Sequence, residues 1–221
     1  MAHELTLDIN WLKSNNIRGV VQAGMGEYSA EIEVWNNAGI LNQIYIEPYK
    51  YHFDNCLLRA NNLKCDGARV SCVKGALHNV TGTTKLFINV QNDSHSVLPM
   101  HENRPAILQW MVSTDEIEVP SYTLDDIFEL TKNDPRDFNL LFLDTQCSEH
   151  LIIEGAKNTL KHFDFIEIEI STTHYVYANS LLYDDFTAMM DMHGYIVIGY
   201  SPCYEGGIEL ARNVTFGRKD K

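Results

Sequence analysis

Short apolar runs alternate along most of the chain with segments whose apolar residues return at helical spacing. Such alternation is typical of a mostly parallel sheet, joined by right-handed crossovers that place helices on both of its faces. In that architecture the ligand crevice lies beyond the carboxyl ends of the strands. The predicted strands are 19–23, 44–46, 70–73, 140–143, 165–170, 195–198 and 214–216, and the predicted helices are 7–13, 27–35, 49–62, 124–130, 149–160 and 182–192.

The alternation weakens between 77 and 122, after the third predicted strand and before the fourth. This segment has two prolines, Pro99 and Pro105, between short strand-like runs at 84–90 and 117–119. The sequence therefore predicts an α/β fold with a β-containing insertion at 77–122. Since 221 residues suffice for one sizeable core, we expect a single domain over 1–221 with a short helical lead at 1–17.

The formal net charge of the chain is −13. This charge argues against nucleic acid as a partner, because proteins bind its phosphates through clustered lysines and arginines. No apolar stretch is long enough to span a bilayer, and none resembles a signal peptide. The five cysteines form no CxxC pair, as expected for reduced thiols. We therefore expect a cytoplasmic protein without a membrane partner; the oligomeric state stays open.

A predicted strand, a glycine-containing turn and an acidic residue follow one another near the N-terminus. Gln22, Gly24 and Gly26 lie at the end of the first strand, and Glu47 ends the next one, about 20 residues farther on. Glycines let a backbone approach a ligand closely, and a carboxylate at this spacing can accept both hydroxyls of a ribose. No third glycine opens the following helix, so no pyrophosphate cradle is predicted. The pattern favours an adenosine ligand without phosphate; the alternative is a tight turn and a solvated charge.

Six blocks of the chain carry a resemblance to a known family. They are VVQAGMGEYS, IEPYKYHF, KGAL, EVPSYTLDDIFE, LLFLDTQCSEHLIIEGAKNTL and FIEIEIS. In this order they resemble motifs of the FkbM family of S-adenosylmethionine-dependent methyltransferases, over most of the chain from Val20 to Lys219. The resemblance implies a Rossmann-like class I methyltransferase fold with S-adenosylmethionine as the methyl donor.

The same resemblance implies which residues bind the donor, with Asp144 beside the transferred methyl group. The implied donor-binding residues are Gln22, Gly24, Gly26, Glu47, Pro48, Gly75, Ala76, Asn92, Ser94 and Asp144. The resemblance also implies that the segment 92–96 lies near the adenine or the donor end. The chain departs from the family pattern at Gln22, where many methyltransferases have an acidic residue. It also departs at Cys147 and Ser148, which replace the common Gly-Ala.

Methyl transfer to a hydroxyl needs a group that accepts the hydroxyl proton. Asp144, at the carboxyl end of a predicted strand, is the favoured catalytic residue, and His150 is the second candidate. Asp144 can instead cap the helix that begins near Glu149 or only orient the donor. The alternative for His150 is a surface or capping side chain.

Other side chains near the crevice are less specific signals. His95, His101 and His174 lie in the insertion or in loops, where they can contact the substrate or assist proton transfer. No pair of histidines has the spacing of a zinc site, so no metal site is predicted. The aromatic residues of the insertion, including Trp110 and Tyr122, either line an acceptor pocket or pack in the core.

These features predict an O-methyltransferase that acts on a hydroxyl of a small molecule or a carbohydrate. Methylation of protein or nucleic acid is an alternative, although the N/D-P-P-Y/F motif of amino-group methylation is absent. A nicotinamide-dependent oxidoreductase is another, but the chain has no Tyr-x-x-x-Lys pair. A non-catalytic interaction module on the same fold is the third.

Overall fold

A computed structural model describes residues 7–221, apart from the side chains of Asn92 and Glu205. The helices are α1 Ile9–Ser14, α2 Glu31–Ala38, α3 Lys50–Leu63, α4 Leu124–Thr131, α5 Glu149–Gly155 and α6 Tyr183–Met192. The strands are β1 Gly19–Ala23, β2 Asn42–Glu47, β3 Arg69–Lys74, β4 Ala76–Leu77, β5 Gly82–Asn89, β6 Ser113–Tyr122, β7 Leu140–Leu143, β8 Phe165–Ser171, β9 Tyr195–Glu205 and β10 Ile208–Arg218.

Seven strands form the central sheet in the order β3-β2-β1-β7-β8-β10-β9. All of its pairings are parallel except those of β10, which runs antiparallel to both β8 and β9. The chain therefore has the mostly parallel α/β fold that the alternating pattern predicted. Strand order reverses at β1, which pairs with β2 on one side and β7 on the other, so a crevice is expected beyond Ala23.

Helices cover both faces of this sheet. Neighbouring residues of a strand point to opposite faces, so β1 contributes to an apolar cluster on each side. Val21 of β1 belongs to one apolar cluster, with residues of α4, α5 and α6. Val20 belongs to another, with Ile32 and Trp35 of α2 and residues of α1 and α3. Within residues 7–221, no helix combines the length and apolar character needed to cross a membrane.

The predicted insertion between the third and fourth core strands contains a second, smaller sheet. Its order is β4-β6-β5, with β4 parallel and β5 antiparallel to β6. A small apolar cluster of Ala76, Leu86 and Val119 packs within it. The insertion is therefore a structured unit attached directly to the end of β3.

Several predicted boundaries were wrong, most clearly at two helices and at the last two strands. The second helix begins at Glu31 rather than 27, because Gly26 and Ser29 have positive φ angles of 56° and 44°, which a helix excludes. The helix predicted to reach 160 ends at Gly155, where a Cβ would lie 2.5 Å from the His78 carbonyl oxygen. β9 and β10 extend over 11 residues each, because antiparallel pairing around Gly206 continues through polar positions.

Candidate functional site

The glycine turn after β1 lies directly against the end of β2. The N–H of Gly24 donates to the Ile46 carbonyl oxygen at 3.1 Å, and the N–H of Met25 donates to Glu47 Oε2 at 2.9 Å. The two segments that the sequence suggested as one ligand site are therefore in hydrogen-bond contact.

The glycines of this turn are needed chiefly because other parts of the protein approach them. Gly24 has a φ of +82°, and a Cβ there would lie 1.7 Å from the carbonyl oxygen of Asp144. Gly26 has a φ of +56°, and a Cβ there would lie 3.0 Å from Asp93 Oδ1. The sequence rationale, that glycine makes room for a ligand, is thus incomplete, since these glycines bring the ends of β1, β7 and the insertion together.

Glu47 is a buried carboxylate, with 4% of its surface exposed. Burial raises its pKa to about 7, although the N–H bonds from Met25 and Tyr49 (2.8 Å to Oε1) act in the opposite direction. Nearby Asp144 and Asp93 raise the pKa further. A carboxylate has about four lone-pair sites, so these two hydrogen bonds leave it able to accept more.

A cavity opens at the carboxyl ends of β1, β2 and β7. Seven of the residues implied to bind the donor line this cavity, which we call the first cavity: Gly24, Gly26, Glu47, Pro48, Gly75, Ala76 and Asp144.

Three other sequence-predicted residues do not line it. Gln22 accepts a hydrogen bond from the Trp35 indole N–H at 2.8 Å and donates to Glu31, so it braces the turn against α2. The Ser94 hydroxyl is turned toward the Gln91 carbonyl oxygen, to which it donates at 2.8 Å. His150 is buried at the start of α5 and is absent from both cavity walls. The Asn92 side chain lies outside the described residues.

Asp144 immediately follows β7 and lines a second cavity as well. This second cavity has walls from β7, β8 and β10 and from the first residue of α2. Its polar wall residues besides Asp144 are Glu31, Glu167, Glu169 and Asn213. Asp144 thus forms part of the wall of both cavities.

The turn after Asp144 is held by its own side chains. Buried Glu149 accepts hydrogen bonds from the N–H and the hydroxyl of Thr145, at 2.7 and 3.0 Å. Burial raises the pKa of Glu149 to about 8, while these bonds oppose the shift. Ser148, and not Asp144, occupies the N-cap of α5. The capping alternative for Asp144 is therefore wrong.

Gln146 connects Asp144 to the insertion. Its Nε2 donates to Asp144 Oδ1 at 2.8 Å, and its carbonyl oxygen accepts from the Ser96 hydroxyl at 2.8 Å. The Tyr177 hydroxyl lies 3.2 Å from Gln146 Oε1 and donates to the Ser94 carbonyl oxygen at 2.7 Å. The orientation of the Asp144 carboxylate is thereby tied to two loops beyond its own strand.

The insertion closes one side of the first cavity, and sequence analysis identified this role only in part. Asp93, His95, Ser96 and Val97 line the wall, and Asp93 also accepts a hydrogen bond from the Glu27 N–H at 2.7 Å. Trp110 is 51% exposed and lines neither cavity, whereas Tyr122 packs against the core. The aromatic residues that the sequence emphasised therefore do not form the wall.

His52 and Gln146 also line the cavity, although the sequence did not single them out. One signal for His52 was available, since it shares a buried face of α3 with Cys56 and Ala60 at spacings of four residues. No local signal pointed to Gln146, because it lines the cavity through a contact between distant loops.

Comparisons with known proteins agree with this geometry. The family model described as Methyltransferase FkbM domain matches residues 16–197. M. capricolum TrmK, solved with S-adenosylhomocysteine, is 11% identical with a TM-score of 0.51, over 98% of this chain and 70% of that chain. Magnesium protoporphyrin IX methyltransferase from Synechocystis PCC 6803, solved with S-adenosylmethionine, is 9% identical with a TM-score of 0.52, over 95% of this chain and 76% of that chain. At these identities the two likenesses establish the fold. No curated protein matches the sequence.

Proposed function

Because the chain belongs to the FkbM family of S-adenosylmethionine-dependent methyltransferases, we propose that it methylates a hydroxyl group of a small molecule or a sugar. The observation that carries this proposal is the position of Asp144, which lines both cavities. A donor bound in the first cavity and an acceptor bound in the second would meet at this carboxylate. The proposal thus assigns donor and acceptor to separate cavities.

The residues of the first cavity fit the donor. Glu47 has acceptor capacity for the ribose hydroxyls, and the glycine turn leaves the strand ends accessible. The carboxylates of Glu47, Asp93 and Asp144 surround one space, where they favour a positively charged ligand. Gly24, Gly26, Glu47 and Pro48 would hold the donor, with Gly75 and Ala76 on the adjoining wall.

Methyl transfer requires the protein to align the donor with the acceptor and to accept the hydroxyl proton. S-adenosylmethionine supplies a methyl group on a positively charged sulfur; its transfer to the acceptor oxygen breaks the carbon–sulfur bond, forms a carbon–oxygen bond, and releases S-adenosylhomocysteine and the hydroxyl proton. Walls that align the two partners can lower the barrier by about 7 kcal/mol or more. The Asp144 carboxylate accepts the proton, while Gln146 holds one of its oxygens at 2.8 Å.

The wall of the second cavity supports a hydroxyl-bearing acceptor. Glu31, Glu167 and Glu169 provide carboxylate oxygens, which accept hydrogen bonds from hydroxyl groups. Glu167 already accepts one from the Thr215 hydroxyl at 2.5 Å. The same carboxylates repel phosphate, as does the net charge of −13, so nucleic acid is disfavoured as the acceptor.

An acceptor panel tests this proposal. The protein is incubated with S-adenosylmethionine and, separately, with monosaccharides, small alcohols, RNA and unfolded protein, and S-adenosylhomocysteine formation is measured. We expect turnover with hydroxyl compounds, with methyl ether products identified by mass spectrometry. Methylation restricted to RNA or protein would contradict the proposed acceptor class, and absence of donor binding would favour the non-catalytic module.

A further inference from the structure

Two histidine rings stack on one another in the wall of the first cavity. The ring of His52, from α3, lies parallel to that of His95, from the insertion, with centroids 5.3 Å apart and planes 5° apart. The ring of Tyr49 meets both edge-on, at 5.0 and 4.6 Å. The three rings hold the imidazoles in fixed orientations, so these side chains form a rigid part of the wall.

Each of these imidazoles has an unused polar atom. Among the described residues, Nε2 of His52 and Nε2 of His95 have no hydrogen-bond partner, although both atoms are buried. His52 as a whole is only 2% exposed. A buried nitrogen without a partner costs free energy, so native proteins keep one where a catalytic role, strain, a water, an ion or a bound molecule accounts for it. Both residues line the first cavity, which a ligand can enter.

The hydrogen bond at Nδ1 of His95 indicates which nitrogen of its neutral ring carries the proton. The backbone N–H of Asn89 donates to His95 Nδ1 at 3.2 Å, so in the neutral ring the proton lies on Nε2. Burial lowers the pKa of His95 to about 4, helped by His52, and burial also lowers the pKa of His52. Both rings are therefore neutral near pH 7, and His95 keeps an N–H donor at Nε2 that has no partner among the described residues.

His52 lies beside the carboxylate that would hold the ribose. Its Nδ1 is 4.0 Å from Glu47 Oε1, which is too far for a direct hydrogen bond. The adenine ring nitrogens accept hydrogen bonds, and the ribose hydroxyls both donate and accept them. A nucleoside bound at Glu47 therefore has hydrogen-bonding groups that would complete the bonds of the two unpartnered Nε2 atoms.

We propose that His52 and His95 bind the adenosine portion of the methyl donor through their Nε2 atoms. The inference rests on the proposed function, since it assumes that the donor occupies the first cavity. It adds two specificity-determining residues from α3 and the insertion, and it explains why unpartnered nitrogens are retained in a buried wall.

The variant His52→Phe tests the proposal, because phenylalanine keeps the ring but removes both nitrogens. Two effects of opposite sign are expected. Without ligand, the variant should have a higher melting temperature than the wild type, since it no longer buries an unpartnered nitrogen. In calorimetric titration, its affinity for S-adenosylhomocysteine should fall about tenfold. A purely structural role for His52 would change stability without changing affinity.

His78→Phe is the matched control. His78 also has a buried ring nitrogen, Nδ1, without a partner among the described residues, but it does not line the first cavity. Its replacement should leave the affinity for S-adenosylhomocysteine unchanged. Equal affinity of wild type and His52→Phe would overturn the inference and leave the proposed function intact. A wild type that does not bind S-adenosylhomocysteine would overturn both.

A measurement on the wild type guards against a variant that does not fold. The imidazole nitrogens are followed by ¹⁵N NMR as S-adenosylhomocysteine is added. The Nε2 resonances of His52 and His95 should shift on binding, and the Nδ1 resonance of His78 should not. Saturating ligand that moves neither Nε2 resonance would overturn the inference.

Discussion

A Cβ atom on Gly24 would lie 1.7 Å from the carbonyl oxygen of Asp144. The turn that would bind the donor therefore touches the backbone of the residue that would accept the proton. The amide of Asp144 also donates to the Ala23 carbonyl oxygen at 3.0 Å, which joins the ends of β1 and β7. The proposed donor and proton-acceptor residues form one rigid unit.

This contact predicts that Gly24→Ala is far more damaging than Gly39→Ala. The two glycines have nearly equal φ angles, +82° and +80°, but a Cβ on Gly39 meets nothing within 4 Å. Gly39→Ala should lower the free energy of unfolding by about 1 kcal/mol, for the left-handed backbone alone. Gly24→Ala should lower it by about 3 kcal/mol or more, because a backbone carbonyl must move. Urea denaturation measures both, and equal losses would contradict the contact.

Asp144→Asn should lower kcat by about 10²- to 10⁴-fold. Asparagine keeps the size of the side chain and an oxygen for the Gln146 amide, but it cannot take the hydroxyl proton. Steady-state kinetics with the best acceptor from the panel measure the rate, and titration with S-adenosylhomocysteine measures donor affinity. A weaker affinity with unchanged kcat would assign Asp144 to donor orientation instead.

Glu149 should make the stability of the protein decrease as the pH rises. Its folded pKa of about 8 lies above the ordinary value of 4.5, so between these pH values the folded state binds more protons than the unfolded state. Glu149→Gln removes this titration and keeps an oxygen for the Thr145 N–H. The stability of the variant relative to wild type should therefore increase from pH 5 to pH 8. Denaturation at several pH values, with Glu129→Gln as an exposed control, measures the trend; a flat difference would contradict it.

The pKa of Glu47, about 7, predicts that donor affinity depends on pH. The ionised carboxylate accepts hydrogen bonds at both oxygens, whereas the protonated acid loses part of that capacity. The affinity for S-adenosylhomocysteine should therefore decrease as the pH falls from 8 to 6. Glu47→Gln should bind more weakly and show less change over this range. An unchanged wild-type affinity from pH 8 to 6 would contradict the prediction.

The arrangement of the central sheet was predictable because it is encoded locally. β1 and β7 begin and end where the sequence placed them, since each is a continuous apolar run. β9 and β10 were much longer than predicted, because cross-strand pairing around Gly206 holds polar positions that carry no strand pattern. The local pattern of apolar residues therefore identified the buried strands, but it underestimated the length of the strands that polar residues extend.

The site residues that lie at strand ends could be predicted from the sequence. Those that meet through contacts between loops could not. Gly24, Glu47 and Asp144 each end or follow a core strand, so topology alone brings them to one edge. His52 meets His95 only because the insertion folds back over α3, and no residue spacing encodes that contact. The same contact decides which side chains of the segment 92–96 line the cavity, namely Asp93, His95 and Ser96 and not Ser94.

Donor binding in the first cavity depends, in our proposal, on Glu47. Titration calorimetry of wild type, Glu47→Ala and the exposed-site control Glu33→Ala, with S-adenosylhomocysteine and with NAD, measures this dependence. We expect wild type and Glu33→Ala to bind S-adenosylhomocysteine equally, Glu47→Ala to bind it at least about tenfold more weakly, and none of them to bind NAD. Equal binding of S-adenosylhomocysteine by Glu47→Ala and wild type would show that the first cavity does not hold the donor through Glu47.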